Sequence, residues 1–425
     1  MFTLNKISIS ENGRRVNYDY SVSPQIAKYF NRNEPFYIKY DTDVTAVPES
    51  ILAVPLLANV MPIAWFAGFD VTVPALDETF SESLENLRNE FKIHFPDIDP
   101  DVTLHVENPI SNVIEGDGTG LLFSGGLDAF ESLTRNLEKH PFLISVHGAD
   151  IDVDDQDRWE NFKRFNAEQP VIGSERICYV ECNLRTFYTY EVDLLVNIGW
   201  WGKIQHGMAL ISLIAPLSIL KGIKTVLIAS SNTGEVSFGW GSTSETDEKV
   251  RWADMKVIHD GFHLRRTEKI QNIVDYSNRT GEFIKLRVCY SEMRTGYNCS
   301  HCAKCQRTML GLILCGANPH DFGFDTPQDF YDLLFKNFTP GAVMTTGVAY
   351  EWRCLQEKAA AAENFYVLSD AAREKNNIDT FAALDLKAIV STNISENRPM
   401  KRFKYILISK YPRLFNFYLS IRRKI

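Results

Sequence analysis

Two groups of residues in this chain have the types and spacing to do chemistry. Cys299-Ser-His-Cys302-Ala-Lys-Cys305 is a tight Cys-x2-Cys-x2-Cys, and Cys289 precedes it across nine intervening residues. Four thiolates can close a tetrahedral Zn²⁺ site that leaves no position for water. Such a site is structural, stapling a loop that has little core of its own. An iron–sulfur cluster uses similar ligands, His301 can stand in for one thiolate, and a reduced cluster without metal is the remaining reading. Zinc on Cys289, Cys299, Cys302 and Cys305 is the expectation. The second group is Leu121-Leu122-Phe123-Ser124-Gly125-Gly126-Leu127-Asp128-Ala129-Phe130. A short apolar run breaks at two glycines, and Leu127, Phe130, Leu133 and Leu137 then recur at helical spacing. A strand, a Gly-rich turn and a helix N-terminus together make an anion site: glycines admit the ligand, free N–H groups point at it, and the helix dipole favours negative charge. An ordinary strand-to-helix turn has the same pattern, and short Gly motifs have false positives.

The surrounding elements must place these groups. After Gly116-Asp117-Gly118-Thr119-Gly120, read as a linker, strands are expected at Phe142–His147, Ile177–Glu181 and Thr225–Ala229, with helices at 158–168 and 207–220 between them. This alternation predicts α/β architecture with a parallel sheet flanked by helices. Ligands of such sheets bind at the carboxyl ends of the strands. The Ser-Gly-Gly turn, His147 and Ser230-Ser231 fall at that edge. The acidic loop 148–157 lacks the Gly and terminal Glu of a helix-loop-helix calcium site. It reads as solvated, with one Asp available to a magnesium ion. Lys249, Arg251, Arg266, Lys269 and Arg307 are basic candidates for phosphate, surface ion pairing being their plainer role. Lys285–Cys289 has a strand-like pattern, Cys315 is expected in the core, and Cys178 and Cys182 lie in a strand-like run that suggests burial.

The chain has 425 residues, which favours two or three domains. Residues 1–115 read as a small α+β domain, 116–318 as the domain holding both motifs, and 319–425 as mainly helical. The N-terminal segment alternates as a strand does (Phe2, Leu4, Ile7, Ile9), and Val71–Leu76, Val102–Val106 and an amphipathic 81–94 follow. Residues 357–372 are Ala-rich and helix-prone. A net charge of −9 gives no support to general nucleic-acid binding. Met1 to Val16 is polar and charged, unlike a secretion signal, and four cysteines within seventeen positions then favour metal over disulfides. Together these point to a cytoplasmic setting. Ile51 to Phe69 is uncharged and as long as a membrane span. It contains Pro55, Asn59 and Pro62 and lacks basic flanks, so it reads as core. After Glu396 the charges are all basic, from Arg398, Lys401, Arg402, Lys404 and Lys410 to Arg413, Arg422, Arg423 and Lys424, interleaved with Phe403, Tyr405, Phe415, Phe417 and Tyr418. A packed terminal helix with a solvated basic face is expected, and contact with an anionic membrane or a nucleic acid is the alternative.

Ser124-Gly125-Gly126-Leu127-Asp128-Ala129 resembles the Ser-Gly-Gly-x-Asp-Ser pyrophosphate loop of the ATP-pyrophosphatase (PP-loop) superfamily. With Cys289 and Cys299-x2-Cys302-x2-Cys305 far downstream, the order of motifs is similar to 7-cyano-7-deazaguanine synthase, the QueC family, and its relatives of unassigned substrate. Trp240-Gly241-Ser242, His259-Asp260-Gly261, Arg266-Thr267-Glu268-Lys269 and Arg307-Thr308-Met309-Leu310 also look like those relatives. The resemblance spans roughly residues 116 to 318. It implies an adenine nucleotide alpha hydrolase-like fold and an ATP-dependent ligase that activates a carboxylate as its acyl-adenylate with release of pyrophosphate. Ammonia or an amine would then displace AMP. Phe123 to Ala129, His147, Ser230 and Ser231 would hold ATP with Mg²⁺. Asp128, Lys249, Arg266 and Lys269 would carry the chemistry on a small-molecule or peptide carboxylate, and a homodimer is compatible with this. One departure is Ala129, where the family's loop has a hydroxyl; a lost hydrogen bond to a charged group is worth about 1.5–3 kcal/mol. Sulfur transfer of the tRNA-thiolating type, with Cys178 and Cys182 as carriers, and ATP binding without turnover by a sensor or scaffold are the competing functions.

Overall fold

The alternation of apolar strands and amphipathic helices resolves, in a computed structural model, into one ten-stranded sheet covered on both faces. The structure describes the chain except residues 97, 100, 232, 237, 238, 290–295, 340, 392–397 and 412–425. The first part comprises β1 (Phe2–Ser10), β2 (Arg15–Val22), β3 (Tyr37–Tyr40), α1 (Glu49–Ala67), β4 (Val71–Asp77), α2 (Glu78–His94) and β5 (Leu104–Ile110). The second runs β6 (Gly118–Leu122), α3 (Leu127–Arg135), β7 (Phe142–His147), α4 (Gln156–Ala167), β8 (Ile177–Cys182), α5 (Tyr190–Leu195), α6 (His206–Ser212), α7 (Ala215–Lys221), β9 (Ile223–Ala229), α8 (Ser244–Asp247), β10 (Lys256–Asp260) and α9 (Arg266–Thr280). Then come α10 (Ala303–Ile313), α11 (Phe330–Phe335), α12 (Thr346–Ala360), α13 (Ala371–Ala382), α14 (Leu386–Ile389) and α15 (Arg398–Lys410).

Strand order is β10-β9-β6-β7-β8-β3-β2-β1-β4-β5. The five strands from β10 to β8 are parallel, β3 joins β8 antiparallel, and β4 and β5 return to parallel pairing. The sheet therefore runs across the connection at 111–117, where the sequence suggested a domain boundary. One hydrophobic cluster spans both parts. It holds α1, strand residues of β1 to β4, and the Ile144, Val180, Val226 and Ile228 side of the parallel strands. The opposite side, including Leu121, Leu143 and Leu227, packs with α3, α4, α9 and α10. Alternate residues of β9 thus serve two cores, as a period of two requires.

Several elements depart from the sequence reading for local reasons. Gly118 to Gly120 are strand, not linker: the amide of Gly118 donates to Gly222 O at 2.7 Å, and a Cβ on Gly118 would lie 3.0 Å from that oxygen. A register shift between Leu4 and Lys6 explains why the buried alternation of β1 moves from even to odd positions. The apolar run 207–220 is two helices, because Pro216 opens α7 and cannot continue the ladder of α6. A π-helical turn, Trp201–Gln205, precedes them. Residues 285–289 form no strand; their hydrogen bonds go to loops. The Ala-rich 357–372 is broken after Ala360. The candidate membrane segment is α1, with 89% of its apolar window buried inside the molecule. Asn59 within it donates to Pro55 O and accepts from Gln205 Nε2 at 2.7 Å, so its amide is satisfied in the core.

Candidate functional site

The Ser-Gly-Gly turn sits where β6 ends and α3 begins. Gly125 has φ +71°, and a Cβ there would lie 2.7 Å from the Phe165 ring, so conformation and space both require glycine. Gly126 is the N-cap of α3 and has no side chain to satisfy the first-turn amides, which leaves them for a ligand or water. Phe123, Ser124, Gly126, Leu127, Asp128 and Ala129 open onto a cavity of about 1150 Å³. The cavity lies against the carboxyl ends of the parallel strands, touching Val146 of β7, Ile228 and Ala229 of β9 and His259 of β10. Helices α3, α9 through Arg266, α10 through Lys304, and α12 through Thr346, Gly347 and Val348 contribute first-turn residues to its wall. Helix N-termini carry partial positive charge, so the wall suits an anion before any side chain is counted.

Charged side chains add to this. Arg266 Nη1 donates to Asp128 Oδ2 at 3.0 Å, and Lys269 Nζ lies 3.6 Å from Asp128 Oδ1. Burial works against the Asp128 carboxylate, but Arg266, Lys269 and Lys304 outweigh it and hold the carboxyl below its usual range. Burial and the Arg266 charge lower Lys304 to about 8. Glu351 of α12 accepts from Arg307 Nε at 2.6 Å and lies 3.9 Å from Arg266. Arg287 donates from its backbone to Gly125 O at 2.9 Å and from Nη1 to Ser124 O at 3.1 Å. It thereby fixes the turn.

Arg287 and Lys304 are placed by the cysteines. The sulfurs of Cys289, Cys299, Cys302 and Cys305 lie within 4.8 Å of one another, a group able to hold a metal ion. Cys302 is the N-cap of α10, and its amide donates to Cys299 Sγ at 3.3 Å. Asn298 ties the loop down by donating to Leu286 O and Gly323 O. His301 is exposed and outside the group. Cys315 is half-buried beyond the end of α10.

The far part of the cavity is lined by Trp201, His206 and Trp240, with Arg185 and Lys203 beside them. His206 follows the π-helical turn, a feature common at functional sites. Burial lowers its pKa against the opposing charges of Asp247 and Asp150. Across from it, His259 Nδ1 pairs with the fully buried Asp247 at 2.8 Å, and Ser242 donates to the same carboxylate oxygen at 2.6 Å. An imidazole oriented by a buried carboxylate is fitted to move a proton. A Cβ on Gly207 would lie 2.3 Å from Asp247 Oδ1, so this contact also needs glycine.

Not every expected residue joins the site. Lys249 is not on the wall: its Nζ pairs with Glu90 of α2 at 3.0 Å and donates to Glu245 O. Arg251 is exposed, its amide held by Ser83. His147 is fully buried behind the wall, stacked on Trp159 with ring centroids 4.6 Å apart, and bonded to Asp152 O. Ser230 is buried too, its carbonyl accepting from Lys269 Nζ, whereas Ser231 reaches the cavity. Of the acidic loop, Asp150 lines the cavity and Asp155 caps α4. The sequence reading missed Arg287, Lys304, Glu351 and His206. The first two had a signal, being two residues before Cys289 and between Cys302 and Cys305; α12 had none. No family model, curated protein or solved structure matches the chain.

Proposed function

We propose that the protein is a PP-loop enzyme of adenine nucleotide alpha hydrolase-like fold that uses ATP to activate a carboxylate, releasing pyrophosphate and then AMP. The observation that carries this reading is the loop Ser124–Ala129 at the strand edge, opening onto a cavity ringed by helix N-termini with Arg266, Arg287 and Lys304 on its wall. Charge builds on the leaving pyrophosphate, and preorganised amides and cations stabilise it. Asp128 holds Arg266 and Lys269 in place. The remainder of the cavity would take the acid and a nitrogen nucleophile, with the His259–Asp247 pair available to accept its proton. Mg²⁺, when bound, neutralises phosphate charge, and Asp150 is a carboxylate on the wall that would hold it.

The cysteine group fits zinc. A tetrahedron of Zn–S bonds has edges of about 3.8 Å, and the sulfur pairs 289–302, 299–305 and 302–305 are 3.9, 3.9 and 3.5 Å apart. Cys289, Cys299, Cys302 and Cys305 would hold the ion in a closed, structural role. A cytoplasmic setting suits free thiols. Cys178 and Cys182 are poor sulfur carriers: both are buried in β8, and burial pushes the Cys178 thiol up to about 11.

ATP titrated into zinc-loaded protein is expected to bind, and a panel of carboxylic acids to elicit pyrophosphate release. No binding and no release would overturn the reading. Ala129 favours one other reading, ATP binding without turnover, because the wall presents a methyl there, 4% exposed. Ala129→Ser is expected to tighten ATP about ten- to a hundredfold by restoring one hydroxyl donor to a charged phosphate. Binding without release in both forms would favour the sensor.

A further inference from the structure

The end of the chain carries chemistry that the cavity does not use. The nine charged residues after Glu396 are all basic, so with a total of −9 the first 396 residues carry −18. Helix α15 belongs to this segment. One side of it faces the body: the Tyr405 hydroxyl donates to Asp193 of α5 at 2.5 Å, and Ile406 and Ser409 are half-buried. The other side turns Phe403, Leu407 and Tyr411 to solvent, at 67%, 49% and 53% exposure. Their spacing of four places them in one stripe along the helix. Arg402 and Lys410 are exposed beside it. Single exposed apolar side chains are ordinary; a line of them along a cationic helix is not.

We propose that this face of α15 docks on an anionic lipid surface. The chemistry separates that partner from other polyanions. Phosphate headgroups pair with Arg402 and Lys410, and the acyl boundary just below removes Phe403, Leu407 and Tyr411 from water. A nucleic-acid backbone supplies only the first of these. The acidic body is repelled by the same surface, so the charge asymmetry orients the molecule with α15 toward the lipid and the rest away. The docking is independent of what the cavity binds.

Full-length protein sedimented with phosphatidylcholine vesicles containing about a third phosphatidylglycerol is expected to bind, and to stay in solution with phosphatidylcholine alone. Raising NaCl to about 0.5 M, where the Debye length falls to a few Å, should release most of it. Phe403→Glu with Leu407→Glu should lower the bound fraction about tenfold at unchanged melting temperature, because both side chains are exposed. Arg402→Gln with Lys410→Gln should lower the partition coefficient by about thirtyfold, two surface cations being removed. Failure to sediment with anionic vesicles at low salt overturns the proposal. So does equal binding by the Phe403/Leu407 variant, or retention on single-stranded oligonucleotide with none on vesicles.

Discussion

The two halves of the sheet bury polar groups for different ends. In the half built from β1 to β5, buried polar residues are consumed by structure. Asp77 caps α2 through Phe80 N and also accepts from Ala253 N, and Ser83 donates to Lys249 O. In the half built from β6 to β10, polar groups gather at the carboxyl ends of the strands. Asp128, Lys304, Arg266, Asp247 and His259 are held there by one another around a cavity. Both halves share one sheet and one core cluster. What separates them is strand direction: five parallel strands bring five carboxyl ends and the following helix N-termini to one edge, which antiparallel pairing disperses.

This division can be broken or sharpened by mutation. The largest effect is expected from Cys305→Ser. Losing one of four ligands should cut bound metal from about one ion per chain to near zero, and structural zinc sites contribute on the order of 10 kcal/mol. Metal analysis and melting temperature read it, and full metal content in the variant would break the link between the cysteines and the cavity wall. Trp65→Ala, at 1% exposure in the last turn of α1, should cost about 3–5 kcal/mol by chemical denaturation. ATP affinity per folded molecule should be unchanged, and a large loss would show that the first half, which reaches the wall through His94 at the end of α2, shapes the ATP site. Arg266→Ala should cost about 2 kcal/mol, less than for a fully buried pair because Lys269 still faces Asp128, while ATP affinity drops at least about tenfold. Asp128→Asn added to it should cost less than the sum of the single changes, as groups in contact do.

The smallest effect is a pH dependence. His206 is kept neutral by burial, so its folded pKa lies below the unfolded value of about 6.5. The unfolded chain then binds the extra proton first as pH falls, and stability declines below about pH 6.5 toward the folded value. His206→Gln should flatten the urea midpoint across that window, and an unchanged slope would show that the imidazole protonates freely in the fold.

Much of the second half was legible. Strands β6 to β9 read as short apolar runs, and the loop 123–129 carried its own turn chemistry, whereas Lys256–Asp260, with a charge at each end, was not read as the strand β10. The zinc-type spacing was visible because ligands three residues apart meet without help from the rest of the fold. Legibility failed where neighbours decide. Lys249 looked like a phosphate ligand until Glu90 from α2 took its ammonium, and His147 until Trp159 covered its ring. The run at 118–120 looked like a linker because glycines mark turns, yet here they let β6 approach Gly222.

The local pieces follow from the order of residues alone: a strand, turn and helix that expose amides, four cysteines in metal spacing, an α/β alternation, and a basic end on an acidic chain. Each depends on contacts within a few residues or on summed charge. Only the tertiary structure decided that Arg287 and Lys304 flank the turn, that α12 closes the wall with Glu351, and that His206 and His259 face the same buried Asp247. Those residues are separated by tens to hundreds of positions, and no periodicity or spacing encodes which of them meet. Packing of the helices on the parallel sheet brings them together.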